Sequence, residues 1–323
     1  MSSRRRPGPS TRVRVHELLT APSSGTPVGT ADGTAVATTS PAAADHRPGA
    51  ASDGPSLVVR RHEDRLATEE PLEIRLSWPG RPAERVAVTM RTPGHDFELA
   101  TGFLHGEGVL ATAGDLRRVA YCTDAALAPE QEFNVVTVEL RGPPRSEPAR
   151  RYAGLSAASS ACGVCGTESI DDVLALCDLA SHAVRPAGPV VAPEVLLGLP
   201  DRLRLEQRVF DSTGGLHAAG LFDEHGATWV VREDIGRHNA VDKVVGARVL
   251  AGTSPAAPVL CVSGRIGFEI VQKAVVAGIG VLAAVGAPSS LAADLAGRAG
   301  LCTAGFVRNG RCVVYSAPER LGV

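Results

Sequence analysis

Arg232-Glu233-Asp234-Ile235-Gly236-Arg237-His238-Asn239-Ala240-Val241-Asp242-Lys243 is the stretch that decides the fold class of this chain. The residues leading into it, Thr228-Trp229-Val230-Val231-Arg232, are β-branched and aromatic and read as a strand. The run itself reads as a strand end, a turn, and a helix beginning near Ile235. On that helix His238 and Asp242 stand four apart, as do Asn239 and Lys243, so polar groups line one side. The plain reading is an exposed face carrying (i, i+4) pairs. Against it, Arg, His, Asn, Asp and Lys gather at the C-terminal end of a strand, which in an open α/β sheet is the ligand edge.

Moving toward the C-terminus, Val259-Leu260-Cys261-Val262 is a fully apolar strand. Ser263-Gly264-Arg265 turns into a helix over Ile266 to Ala277, whose Phe268, Val271 and Val275 share a buried face. Strand, Ser-Gly-Arg turn and helix N-terminus suit an anion or phosphate cradle. The motif is less specific than a P-loop, since the glycine-rich run and its lysine are absent. Val281 to Val285 is a second buried strand, and Ser289 to Ala299 a helix. Leu301 to Val307 pairs with Arg311 to Tyr315 across Asn309-Gly310, a strong hairpin signal. Arg308 and Arg311 flank that turn, open either to phosphate contacts or to solvent.

Moving toward the N-terminus, a helix is expected over Phe210 to Ala218 and then a strand, with Gly214 and Gly215 weakening the helix. Another helix starts near Pro193. From about residue 205 the order is helix, strand, strand, helix, strand, helix, strand, helix, strand, strand: a layered α/β sheet with an antiparallel end. The part before residue 150 is mostly strands, over Leu57 to Arg61, Leu72 to Leu76, Val86 to Met90, Val119 to Cys122 and Asn134 to Leu140. Its one clear helix starts after Thr92, a cap, and Pro93, and stops at Gly106. His95, Glu98 and His105 on that helix read as a solvated face rather than a metal set. The domain reading is a disordered tail over 1–55, an N-terminal α+β lobe over 56–150, and an α/β domain over 151–323. The tail is rich in Ala, Ser, Thr, Pro and Gly.

Ser159-Ser160-Ala161-Cys162-Gly163-Val164-Cys165-Gly166-Thr167-Glu168 opens the last of these parts. Its small residues make a loop rather than a core segment. The apolar pattern from Ile170 reads as a helix, so Cys162 and Cys165 feed a helix N-terminus, where a thiol pKa falls. Structural zinc needs two more closely spaced ligands, and Cys122, Cys177, Cys261, Cys302 and Cys312 form no second pair. A thioredoxin-like site belongs early in a compact βαβ unit, whereas this pair comes after a Pro/Arg/Ser-rich stretch. Sulfur-carrier chemistry, in which a thiolate accepts a sulfane sulfur as a persulfide, is the third reading. An incidental pair is a poor account of reachable thiols, which oxidise unless used.

Composition narrows the class. A chain of 323 residues with 44% hydrophobic residues builds one or two domains with a real core. A net charge of −2 and 4% aromatic content argue against bulk nucleic-acid binding and against stacking platforms for single strands. Seven cysteines, an odd number without framework spacing, point to a reducing compartment. No apolar run reaches the roughly 18 residues of a membrane span. Arg4-Arg5-Arg6 is followed by Pro7-Gly8-Pro9 rather than an apolar stretch, so export is not expected and the cytoplasm is.

Cys162-Gly163-Val164-Cys165-Gly166, the Arg232–Lys243 run, Ser263-Gly264-Arg265 with Phe268-Glu269, and the Phe97-Glu98-Leu99-Ala100-Thr101-Gly102-Phe103-Leu104 helix together resemble the formate dehydrogenase accessory sulfurtransferase family (FdhD). The resemblance runs from about residue 55 to the C-terminus, and the Arg-Glu-Asp-Ile-Gly-Arg-His-Asn-Ala run is its most specific part. It implies a cytidine deaminase-like three-layer α/β fold for the C-terminal part. It implies a sulfurtransferase that moves sulfur from a cysteine desulfurase to a molybdenum or tungsten bis-molybdopterin guanine dinucleotide, which then serves formate dehydrogenase. Cys162 would carry the persulfide and Cys165 would assist. The family's cofactor-binding stretch falls on Phe306-Val307-Arg308-Asn309-Gly310-Arg311, and Ser263, Arg265 and His238 are expected beside it. Arginines suit pyrophosphate and guanine edges by charge and geometry. The cofactor is expected as a bound substrate, with no tightly held metal of the protein's own; partners are the desulfurase and formate dehydrogenase, and a homodimer is left open.

Two rival readings compete with it. A zinc deaminase needs H-x-E with P-C-x-x-C, but Ala219 stands where that Glu belongs, and the only C-x-x-C lies upstream of His217 without a preceding proline. A cofactor chaperone that binds and delivers the pterin without moving sulfur would keep the arginines and dispense with the thiols.

Overall fold

A computed structural model describes residues 6–20, 57–123, 128, 131–146 and 190–323. The cysteine loop and the helix expected after it lie outside the described residues. The chain divides into Arg12–Leu66 and a larger unit formed by Met1–Thr11 with Ala67–Val323. The smaller unit carries most of β1 (Ser10–Thr20) and β2 (Leu57–Ala67), which pair as a two-stranded sheet. β1 lies within the stretch expected as a disordered tail. Its Thr-Arg-Val-Arg-Val-His-Glu alternation has the strand period, which the bulk composition of residues 1–55 hides.

In the larger unit, β3 (Glu70–Trp78), β4 (Arg81–Arg91), β5 (Leu116–Tyr121) and β6 (Val135–Leu140) form a sheet in the order β4-β3-β6-β5. Leu72, Ile74 and Leu76 alternate inward, as a half-buried strand requires, against Leu99, Ala100 and Leu104 of α1 (Asp96–Gly106). α1 starts later than the sequence suggests. Gly94 and His95 both have positive φ, 114° and 57°, so the chain turns sharply before the first helical residue. Thr92 is not the cap: its hydroxyl accepts from the Ile235 amide at 3.1 Å, across the molecule.

The second sheet has the order β12-β11-β10-β9-β7-β8. It contains β7 (His217–Phe222), β8 (Thr228–Asp234), β9 (Val259–Val262), β10 (Val281–Ala284), β11 (Cys302–Arg308) and β12 (Arg311–Ser316). β9, β10 and β11 are parallel; β7, β8 and β12 add antiparallel partners. Successive residues of the central strands serve opposite layers. Leu260, Val262, Leu282 and Ala284 pack against α4 (Arg237–Leu250), α5 (Phe268–Val276) and α6 (Ser290–Arg298). Val259, Cys261, Val281 and Ala283 pack against α2 (Pro193–Leu205). The expected α/β layering is therefore present, with helices on both faces of a mixed sheet whose strands β9, β10 and β11 are parallel.

α3 (Arg208–Thr213) is shorter than expected. Gly214, at φ 64°, ends it, and His217 and Ala218 belong to β7 instead. The two sheets, expected in separate lobes on either side of residue 150, share one compact unit. α1 and α4 join them back to back: a Cβ on Gly102 would lie 1.8 Å from the Asp242 carbonyl oxygen, and one on Gly246 1.8 Å from that of Glu98. Only glycine admits so close a crossing.

Candidate functional site

The Arg232–Lys243 stretch is a junction between layers. Arg232 forms a bidentate pair with Glu98 of α1, at 2.6 and 2.8 Å. Buried against that guanidinium and beside His95, the Glu98 carboxyl is held down at about 2 despite its desolvation. Glu233 reaches the other way and accepts from the amides of Val209 and Phe210 at 2.9 and 2.7 Å, capping the start of α3. Asp234, fully buried, accepts from the amides of Thr92 and Gly236 and from Asn239, and pairs with Lys243 at 2.7 Å. Asn239 donates to the Met90 carbonyl at 2.7 Å and Lys243 to that of Thr92 at 3.0 Å. Asp242 holds Lys273 of α5 at 2.7 Å.

The ligand face expected for this helix is thus reduced. Asn239, Asp242 and Lys243 are spent inside the protein, because a polar run caught between two layers must be paired to be buried. His238 and Arg237 remain nearer the edge. His238 Nε2 stands 3.2 Å from Glu269, so its polarity is directed at α5. Arg237 runs beside Gly264 and Gly267, and its Nε is buried without a hydrogen bond to any described residue.

The C-terminal ends of β9, β10 and β11 open into a groove of about 820 Å³. Val285 and Val307 form part of its floor, with Leu203, Leu216 and Phe210, and Ser263, His217, Gln207, Arg204 and Arg308 supply polar groups. The Ser263 hydroxyl accepts from the Ala218 amide at 2.9 Å, which extends the β7–β9 pairing past the strand end. His217 touches the same turn. Burial, then Arg237, hold its imidazole below the ordinary value against the opposite pull of Asp234. The shift favours the neutral imidazole, which can accept a hydrogen bond.

Three loops stack at this edge. A Cβ on Gly286 would lie 2.9 Å from the Gly264 carbonyl oxygen, and one on Gly305 3.0 Å from that of Gly286. Beyond Gly305 the register with β12 shifts, and Phe306 adopts φ 52°. A bulky residue in the left-handed region at a bulge re-aims the next side chains of its strand. Val307 and Arg308 are thereby turned to the groove, and Arg308 lies 5.8 Å from the Phe306 ring centroid. Asn309 and Gly310, at φ 53° and 70°, make the expected two-residue turn.

Of the residues expected from the sequence, Ser263, Val307, Arg308, Asn309 and Gly310 line the groove together. Arg265 and Arg311 are exposed and are not among its lining residues, and neither are Phe306 and His238. Cys162 and Cys165 lie outside the described residues. Gln207 and His217 also line the groove; the sequence does not mark Gln207 and brings up His217 only in the rejected deaminase reading. His217 falls inside the helix expected there, and Gln207 sits at a helix corner that no periodicity marks. Among the described residues no group of three His, Cys, Asp or Glu is placed to hold a metal ion.

A model of the FdhD/NarQ family matches residues 67–322. The sulfur carrier protein FdhD of Streptomyces avermitilis is 48% identical over 268 residues, covering 82% of this chain and 92% of that protein. That of Anaeromyxobacter dehalogenans is 47% identical over 269 residues, covering 80% and 89%. A crystal structure from Desulfotalea psychrophila, described as that of a candidate formate dehydrogenase accessory protein, superposes with a TM-score of 0.59 at 23% identity, over 82% of this chain and 94% of that one.

Proposed function

This chain belongs to the FdhD/NarQ family, and on that premise we propose that it is a sulfur carrier serving formate dehydrogenase. In this reading a cysteine desulfurase delivers a sulfane sulfur to the Cys162 thiolate, giving a persulfide. The acceptor is the molybdenum bis-molybdopterin guanine dinucleotide cofactor, bound as a substrate at the C-terminal edge of the second sheet. Attack by the Cys165 thiolate on the inner sulfur of the persulfide expels the outer one as hydrosulfide and leaves a disulfide, so the two electrons that reduce the sulfane sulfur come from the thiol pair.

The observation that carries the reading is the groove: Ser263, Val307, Arg308, Asn309 and Gly310, named from sequence as cofactor-binding, line one cavity with His217. Its apolar floor with a few convergent polar groups is the form of a small-molecule site. Arg308 at its rim suits a phosphate.

Intact-protein mass measurement after incubation with a desulfurase and cysteine tests the sulfur step. A gain of roughly 32 Da, one sulfur, is expected on the wild type and is lost in Cys162→Ala. Cys162→Ala is also expected to abolish formate dehydrogenase maturation. Full maturation by that variant, or no mass gain in the wild type alongside retained guanine nucleotide binding, overturns sulfur transfer in favour of a cofactor chaperone.

A further inference from the structure

We propose that Gln207 reads the base edge of the nucleotide part of the ligand in this groove, an assignment that rests on the functional reading above. Gln207 is only 4% exposed, lines the groove, and its carboxamide makes no hydrogen bond to any described residue. Neither of its polar atoms is among the fully buried ones left without a partner, so the amide is open to the groove, where a ligand can pair it.

The corner that presents it is fixed. The Gln207 amide nitrogen donates to the Arg204 carbonyl at 3.2 Å, and its carbonyl accepts from the Asp211 amide at 3.0 Å. The nearby amides of Val209 and Phe210 are held by Glu233 of β8. The side chain therefore projects from a helix-to-helix corner anchored to the sheet, which is what a recognition group needs for precision.

The chemistry fits a heterocycle. A carboxamide sets one donor and one acceptor side by side, which match the O6 and N1–H of guanine in two parallel bonds; a phosphate, with acceptors alone, uses only the donor. Phe210 lines the same groove, and the Arg204 guanidinium lies 4.7 Å from its ring centroid, itself tied to Asp211 at 2.6 Å. The apolar lining from Leu203, Leu216 and Val307 suits a flat ring. Arg308, exposed on the hairpin side, supplies charge for the phosphates. Guanine is the base that the functional reading provides.

Calorimetric titration of the full chain with GDP and, separately, with inorganic pyrophosphate tests this. The wild type is expected to bind GDP more tightly than pyrophosphate. Gln207→Met is expected to lose about tenfold in GDP affinity, as one bidentate base contact is worth, with pyrophosphate binding unchanged. Gln207→Asn keeps the amide one carbon short; it is expected to lose GDP affinity as well and serves where the methionine variant does not fold. A GDP-to-pyrophosphate ratio unchanged in either folded variant, or equal affinities in the wild type, overturns the inference. A wild type that neither loads sulfur nor binds GDP overturns the functional reading, whereas GDP binding indifferent to Gln207 overturns this assignment alone.

Discussion

His105 stands in the last turn of α1, where the helix dipole favours a cation, yet burial and then the Lys273 ammonium hold its imidazole down to a pKa of about 4. Its Nδ1 is buried without a hydrogen bond among the described residues. The unfolded chain takes up that proton near pH 6.5 and the folded one only near 4, so the stabilisation is full above pH 6.5 and is lost as pH falls toward 4. Urea denaturation across that window is expected to show a decline on the order of 3 kcal/mol from this group, and His105→Gln is expected to flatten it. An equally steep profile in the variant refutes the assignment. Cysteine reactivity divides on the same principle. Burial pushes the Cys261 and Cys302 thiols up to about 12, with Glu319 adding to the effect at Cys302. Iodoacetamide at about pH 8 is expected to spare both in the native protein and to modify both in guanidinium; rapid native labelling of Cys261 contradicts this. Their spacing in the sequence shows no second metal-ligand pair, but only the fold shows that they are inert core residues.

Among the elements, the crossing of α1 and α4 is the most constrained. Gly102 faces Asp242 and Gly246 faces Glu98, so the contacts run in opposite directions along the two helices. The clashing atoms are backbone carbonyls, which cannot rotate aside. Gly246→Ala is expected to cost about 1–3 kcal/mol or more, the usual penalty of overpacking, measured by chemical denaturation. Gly297 in α6 is the control: a Cβ there meets nothing within 4 Å, and its φ is not positive. Gly297→Ala is expected to stabilise by about 0.5–1 kcal/mol. A neutral Gly246→Ala would mean that the two helices separate more easily than their contact implies. The sequence marks both glycines as mere interruptions of helical propensity. Which of them is needed depends on what packs opposite, and this is absent from any local window. The same holds for β11: its strand character is plain from Leu301 to Val307, whereas the bulge that turns Phe306 to φ 52° answers to the loops stacked beside it.

At the scale of the molecule, the larger unit joins two sheets through shared helices and a buried polar junction. Lys243, 1% exposed, bonds Asp234 and the Thr92 and Glu233 carbonyls, so its removal leaves the buried Asp234 carboxylate without its cation. The unit is expected to unfold in one transition, with calorimetric and van't Hoff enthalpies equal, and Lys243→Met is expected to lower its midpoint while keeping it single. Two resolved transitions for Ala67–Val323 would mean that each sheet folds by itself. The sequence by itself determined the order of strands and helices, the apolar central strands, the Asn309-Gly310 hairpin and the membership of a family, because each rests on neighbours along the chain. It also marked Arg232–Lys243 as special, without showing why. Only the tertiary structure decided that Asp234, Asn239, Asp242 and Lys243 are spent in the interior, while Ile235 is the residue of the run that lines the groove. Their partners Thr92 and Met90 lie 142 to 151 residues earlier. A side chain's role there is set by what a distant segment offers it: a carbonyl for Asn239 and Lys243, and a carboxylate for Arg232.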